Sequence, residues 1–385
     1  MARVAVIGAG GVGSVAASVI AQEGHDVVLV DKSQEVASRS AQRARVKYAV
    51  ADALRPEDVK RAVGDVDLLV TALPGSIAYQ ALKGLLGLGV SIVDVSFFPQ
   101  EPDELAELAA KEGVTLVLDA GVAPGLSNML VGVGDRRLGG VRAARIFVGG
   151  ISERPDPPLG IVPSWSISDL IDEYRRPARM IINGAVTSVD PLVGPLGTIY
   201  VPGVGELEYF PTDGLRTLLR TYSRAQFMAE FTLRWPGHVS FIKGLKRLGL
   251  MEHRPVRVGG VEVMADDVLA SLLWSLHVES RDIVVMVVEV YGDEGRAIRF
   301  LQVTHPEGEF SAMARVTGSV LGFTALTVLE GKLTGPGAVY PEHIGKNEEV
   351  SGSIMTRLAV SGMEVVEEQF SYTSLPVPIT IPTSA

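Results

Sequence analysis

Gly8, Gly10 and Gly13, within Ile7-Gly8-Ala9-Gly10-Gly11-Val12-Gly13, follow the apolar run Val4-Ala5-Val6 and lead into an amphipathic stretch carrying Val15, Ala16, Val19 and Ile20. A glycine turn between a strand and a helix can cradle a pyrophosphate. Gly8 permits the tight turn, Gly10 lets backbone approach the phosphates, and Gly13 lets the helix pack closely on the strand. The N–H groups of Gly11, Val12 and Gly13 at the helix start then become anion donors. Asp31 ends the next apolar run, Val27-Val28-Leu29-Val30. A carboxylate there can accept hydrogen bonds from an adenosine ribose, whereas a 2′-phosphate would meet like charge. Lys32 and Arg39 follow and could accommodate that phosphate, so the acid favours NAD over NADP without closing the question.

Ligands of doubly wound sheets bind beyond the carboxyl ends of the strands, which ranks the remaining candidates by position. Asp52-Ala53 could bond an adenine edge through a carboxylate and an N–H; the alternative is an acid leading into a helix. Ala72-Leu73-Pro74 belongs near the pyrophosphate and its ribose. Asp94 and Ser96 lie two apart in extended chain, so both point the same way, towards the expected nicotinamide position, and Phe97 follows on the same rim as a candidate substrate contact. Asp94 is a candidate base; equally, it could accept backbone N–H bonds and brace the loop. Asp119 and Gly121 open a rigid turn with Pro124 and Gly125. Farther on, Arg175, Arg176 and Arg179 could clamp a carboxylate, although pairing with Asp172 or Glu173 is the commoner fate of such a cluster. His238, after Trp235-Pro236-Gly237, could act as a general base near neutral pH or be structural. The other histidines lack partners at ligand spacing, so no metal is predicted.

Alternating short β-branched and longer amphipathic runs through about residue 120 predict the elements that hold these groups. Strands are expected at 3–7, 27–31, 45–50, 67–71, 90–94 and 114–118, with helices at 12–23, 33–43, 55–63, 76–87 and 101–111. This is an α/β, Rossmann doubly wound parallel sheet. A helix then reaches Leu138, followed by strand-like stretches at 145–148, 180–189, 282–291 and 296–304, as in a second α+β domain with a mixed sheet. The largely apolar run 316–333, rich in small residues, predicts a helix returning to the first domain. The expected division is 1–122 for the dinucleotide-binding domain, 123–315 for substrate binding and dimerisation, and 316–385 for a C-terminal segment.

Composition narrows the class. A chain of 385 residues exceeds what one core usually serves, and 47% hydrophobic with 21% charged residues describes a well-packed soluble protein. The formal charge of −10 argues against a nucleic-acid or anionic-membrane partner. The apolar segments 283–288 and 316–329 read as too short or too glycine-broken to span a bilayer. With no cysteine there is no thiolate nucleophile or disulfide, which suits a cytoplasmic protein.

Asp94-Val95-Ser96-Phe97, the segment 119–128, the block 165–179, the segment 233–238 and Met313-Ala314-Arg315-Val316-Thr317-Gly318 together resemble the saccharopine dehydrogenase-like family, closest to its L-lysine 6-dehydrogenase branch. The resemblance runs in order to about residue 345. It implies an NAD-dependent amino-acid dehydrogenase that deaminates the ε-amino group of lysine oxidatively, and a homodimer formed through the second-domain sheet. Under that implication His238 or Asp94 is the base, Arg234, Arg179 or Arg315 holds the α-carboxylate, and Trp165 or Trp235 walls the alkyl chain. Two other readings stay open: a saccharopine or carboxynorspermidine dehydrogenase acting on a larger secondary amine, and a non-catalytic NAD-sensing or assembly protein.

Overall fold

The computed structural model describes residues 1–156, 159–162, 167–275 and 281–376, which form two compact units. The first opens with β1 (Arg3–Ile7), α1 (Gly11–Gln22), β2 (Asp26–Asp31), α2 (Gln34–Ala44), β3 (Lys47–Val50), α3 (Pro56–Val63), β4 (Leu68–Thr71), α4 (Gly75–Leu86), β5 (Ile92–Asp94), α5 (Asp103–Glu112), β6 (Thr115–Val117) and α6 (Leu126–Leu138). The strands are parallel in the order β6-β5-β4-β1-β2-β3. Val4 to Ile7 and Leu68 to Val70 are at most 1% exposed, because helices cover both faces of the sheet and every position in a central strand must be apolar. Local signals place the helix starts: Ser33 caps α2 by accepting from Val36 N–H, and Pro56 takes the first position of α3.

The second unit contains β7 (Ala143–Ser152), α7 (Ile167–Arg175), β8 (Ala178–Ile182), β9 (Ala185–Val189), β10 (Gly197–Val201), β11 (Gly205–Thr212), α8 (Leu218–Thr221), β12 (Phe227–Arg234), α9 (His238–Arg247), β13 (Pro255–Val258), β14 (Val261–Met264), α10 (Ala265–Trp274), β15 (Asp282–Tyr291) and β16 (Arg296–Thr304). Its sheet is mixed: β7 runs parallel to β12 and antiparallel to β15. Phe147, Phe227, Phe231 and Val285 build the core on one face. Phe210 joins Ile171, Tyr174, Val239, Ile242 and Leu269 in a second core beneath α7, α9 and α10.

The chain then returns to the first unit through α11 (Ala312–Leu329), β17 (Gly337–Val339), α12 (Pro341–Lys346) and α13 (Glu348–Val360), before β18 (Val366–Ser371) adds to β16. β17 pairs with β6 and extends the parallel sheet. The units divide at Gly139 and Glu307, where the sequence suggested 122 and 316. Helix α6 stays with the first unit because Gly132 and Gly345 let it lie against α12: a Cβ on Gly132 would come 2.1 Å from the Glu342 carbonyl oxygen. Helix α11 begins and ends four residues earlier than the 316–333 expected from sequence, and by length and composition it could cross a membrane. It is instead 72% buried, packed on α1, as a core helix is.

That packing depends on missing side chains. A Cβ on Gly318 would stand 2.6 Å from both the Val12 carbonyl oxygen and Val15 Cβ. Gly318→Val is therefore expected to force α1 and α11 apart and to destabilise the protein by about 1–3 kcal/mol, read as a lower urea midpoint.

Candidate functional site

The glycine turn divides its labour as steric demand requires. Gly8 has φ +104°, and a Cβ there would meet the Ala72 carbonyl oxygen at 2.2 Å; on Gly13 it would meet the Gly8 carbonyl oxygen at 1.9 Å. Both are packing positions. Gly10 differs, because nothing lies within 4 Å of where its Cβ would be. Gly10 precedes the first turn of α1, whose N–H groups at Gly11, Val12 and Gly13 have no earlier turn to donate to. The open face at Gly10 thus combines space, backbone donors and a helix N-terminus, the requirements of a pyrophosphate cradle.

Asp31 does two things at the end of β2. Its carboxylate accepts from Ala9 N–H at 3.1 Å and from Ser33 N–H at 2.9 Å, so it holds the glycine turn and the start of α2. Each oxygen retains acceptor capacity for a ribose hydroxyl. The Ala9 carbonyl is fixed from the other side by Ser40 Oγ at 2.7 Å, a contact the sequence reading did not foresee. Lys32 is exposed. Asp52 accepts from Leu54 N–H at 3.0 Å in the turn before α3, and Ala53 is 6% exposed.

The ends of β4 and β5 meet through one buried carboxylate. Asp94, fully buried, accepts from Thr71 Oγ1 at 2.5 Å, Ser96 Oγ at 2.8 Å and Ser96 N–H at 3.0 Å. Ser96 Oγ also accepts from Leu73 N–H at 3.2 Å, while Gly75 lets α4 begin against the Phe97 carbonyl. Ala72 and Pro74 bracket that bonded amide, and Pro74 precedes the first residue of α4. Burial pushes the Asp94 carboxyl up to about 7; the bonds from Thr71 and Ser96 oppose this, and the charge of Asp119 adds to it. Asp94 is thus a brace, and the geometry speaks against its use as the base. Asp119 is buried at φ +53°, and Gly121 is packed between Val95 and Pro124.

In the second unit, His238 is 1% exposed with both ring nitrogens engaged. Nδ1 lies 2.6 Å from the Leu159 carbonyl, an acceptor only, so Nδ1 carries the proton and Nε2 accepts from Tyr174 O–H at 2.8 Å. Burial pushes the imidazole down to about 3, with the Arg234 charge lowering it further and the Leu159 bond opposing. A base expected from sequence is here a neutral strut. Glu208 holds the start of α9 in place, accepting from Gly237 N–H at 3.1 Å and Val239 N–H at 2.6 Å.

The nominated arginines are also engaged. Arg179 makes a two-pronged contact with Asp213, at 2.8 Å and 3.0 Å. Arg315 pairs with Glu307 at 2.7 Å and bonds the Ser361 carbonyl at 2.5 Å. Arg175 reaches Asp266 at 2.8 Å and Asp172 at 3.5 Å. Arg234, 1% exposed, donates to Glu173 at 2.9 Å and to the Leu233 carbonyl at 2.9 Å, while its Nε has no hydrogen-bond partner among the described residues. Trp235 is core, its indole N–H bonded to the Ser152 carbonyl at 2.9 Å. Trp165 lies outside the described residues.

Within the first unit, the glycine turn, Asp31, the 72–74 turn, Asp94, Ser96 and Gly121 gather along the carboxyl ends of the strands. Within the second, Arg234 and His238 share one cluster with Tyr174 and Glu173. From sequence, Thr71 is marked only by standing on the strand-end rim and Glu173 only as a possible arginine partner; Tyr174 carries no signal of its own.

Comparison with known proteins places this arrangement. A model of the saccharopine dehydrogenase NADP binding domain matches residues 4–117, and one of the saccharopine dehydrogenase C-terminal domain matches residues 121–363. The mitochondrial alpha-aminoadipic semialdehyde synthase of Rattus norvegicus is 28% identical over 197 residues, covering 48% of this chain and 21% of that protein. The NADP(+), L-glutamate-forming saccharopine dehydrogenase of Schizosaccharomyces pombe is 22% identical over 392 residues, covering 80% of this chain and 86% of that one. The chain thus spans about a fifth of the length of the mammalian relatives it matches. The apo L-Glu-forming saccharopine dehydrogenase of Saccharomyces cerevisiae superimposes with a TM-score of 0.78 at 19% identity, covering 96% of this chain and 100% of that one, which establishes a shared fold.

Two experiments test the site. Gly10→Ala is expected to leave the thermal midpoint within about 2 °C of wild type while weakening dinucleotide binding; Gly13→Ala is expected to lower the midpoint outright. The buried titratable groups pull stability in opposite directions with pH. His238, with its folded pKa depressed from 6.5 to about 3, costs stability as pH falls below 6.5; Asp94, raised from 3.8 to about 7, costs it as pH rises from about 4 to 7. Urea midpoints measured from pH 4 to 8 should lose the first slope in His238→Gln and the second in Asp94→Asn.

Proposed function

Because the chain belongs to the saccharopine dehydrogenase family, we propose that it is an NAD-dependent amino-acid dehydrogenase that converts the ε-amino group of L-lysine to the aldehyde of allysine, which cyclises to piperideine-6-carboxylate. One observation carries the choice of substrate: Arg234 lies against Glu173 with its Nε lacking a hydrogen-bond partner among the described residues, while Arg179 and Arg315 are engaged by Asp213 and Glu307. An α-amino acid head brings one carboxylate and one ammonium. Arg234, with its Nε available, takes the carboxylate, and Glu173 takes the ammonium. Saccharopine brings three carboxylates and would need further cations.

For the cofactor, the family model is described as NADP-binding, but Asp31 would set like charge against a 2′-phosphate. The turn from Gly8 to Gly13 and Asp31 are the residues that would hold NAD, and bound NAD supplies the hydride acceptor. Hydride leaves the ε-carbon of lysine, water adds to the resulting imine, and ammonia departs. His238 and Asp94 are both committed to structural bonds, so the proposal draws the reactive free amine from solution. A lysine ε-ammonium titrates near 10.4, and the rate should rise with pH toward that value.

The saccharopine-cleaving alternative is favoured by the names of the relatives, several of which are saccharopine dehydrogenases. NADH absorbance with L-lysine or saccharopine as substrate, from pH 7 to 10.5, separates the two. The expected result is turnover of lysine, with log kcat/KM climbing about one unit per pH unit up to about pH 10. Turnover of saccharopine alone would establish the alternative. NAD is expected to be preferred over NADP, and Asp31→Ser to narrow that preference while weakening NAD binding through the loosened Ala9 amide.

A further inference from the structure

We propose that Thr71 is a positioning residue for the nicotinamide cofactor: its hydroxyl, through Asp94 and Ser96, sets the height of the 72–74 turn against the glycine turn. The inference rests on the cofactor reading above. Thr71 is the last residue of β4, fully buried, paired in register with Ile7 of β1 on one side and Asp94 of β5 on the other. Its backbone carbonyl accepts from Val95 N–H at 3.2 Å, and its Oγ1 donates to Asp94 Oδ1 at 2.5 Å.

That second bond begins a chain. Asp94 Oδ1 also receives the Ser96 hydroxyl, which fixes the rotation of Ser96 and leaves its lone pairs facing Leu73 N–H. The amide of Ala72 is tied to the Ile7 carbonyl at 2.8 Å, so the 72–73 segment is held at two successive N–H groups, one by β1 and one by Ser96. Its Ala72 carbonyl then occupies the volume a Cβ of Gly8 would fill, and the Gly8 carbonyl occupies the volume a Cβ of Gly13 would fill. Contacts this close cannot be shifted independently. A displacement of Leu73 or Ala72 carries the turn that holds the pyrophosphate with it.

Removing the Thr71 hydroxyl leaves Asp94 buried with one donor fewer and frees Ser96 to turn. Thr71→Val keeps the shape and deletes the donor; Thr71→Ser keeps the donor. The expected result is that Thr71→Val weakens NADH binding about tenfold by fluorescence titration and raises the KM for NAD by a similar factor, with kcat within about twofold. Thr71→Ser should restore both values. Hydrogen exchange of the Leu73 amide in cofactor-free protein should quicken in Thr71→Val and return in Thr71→Ser.

Wild-type affinity for NADH in a folded Thr71→Val, or loss of affinity that Thr71→Ser does not restore, overturns the proposal. Failure of the wild-type protein to bind either NADH or NADPH would overturn the cofactor reading and this inference with it. The exchange of the Leu73 amide would still report, independently, whether the hydroxyl chain holds the turn.

Discussion

At the head of the first unit, backbone lies directly on backbone, and that contact requires the absence of side chains. Ala72 lies on Gly8, Gly8 on Gly13, Phe97 on Gly75 and Gly121 on Gly125, each at a separation that would put a Cβ at 1.9–2.2 Å from a carbonyl oxygen. The loops following β1, β4 and β5 are drawn together as a result, and the loop after β6 folds tightly on itself. The polar groups at the strand ends can then bond across the loops, as Ser96 does to Leu73 N–H, and α1 can direct its first N–H groups at open space beside Gly10. On the far side of α1 the same device recurs, since Gly318 and Gly322 admit α11 against Val15 and Val19.

Packing of this density excludes water, and every charge left inside must then be held. Desolvating a charge costs several kcal/mol unless hydrogen bonds and opposite charge offset it. Asp94 is held by three donors and still has its carboxyl raised to about 7. In the second unit, Glu289 lies between Arg145 at 2.5 Å and Arg299 at 2.9 Å, and their charges hold its carboxyl below the usual range despite burial. His238 resolves the same difficulty differently: it remains neutral, donating to one group and accepting from another. Residue types that suggest reactive chemistry are therefore, in several places here, the means by which a dry interior tolerates polarity.

This explains what could be read in advance. The six strands of the first half begin and end within two residues of expectation, because a parallel strand covered on both faces must be a nearly unbroken apolar run. The glycine turn was equally legible, since its steric demand is local. β17 was missed: Gly337-Ala338-Val339 is too short to show a period, and what makes it a strand is its pairing with Thr115, Leu116 and Val117, more than 200 residues earlier. His238 looked like a base because burial and a tyrosine 64 residues away leave no mark on the local pattern. Arg179 found Asp213 across the second unit while Glu173 went to Arg234, pairings that charge counting along a helix cannot supply.

The two units consequently place different limits on change. In the first, a substituted glycine must displace a carbonyl oxygen, and the displacement passes from turn to turn; the arrangement tolerates little, and a nicotinamide dinucleotide of fixed shape asks for little. In the second, charged side chains hold one another, as Arg179 does with Asp213 and Arg234 with Glu173, beside strands that pair through their backbones. Replacing an acid there takes one partner from an arginine without touching the backbone ladder. The charge that such side chains present can thus be altered without rebuilding the backbone pairing.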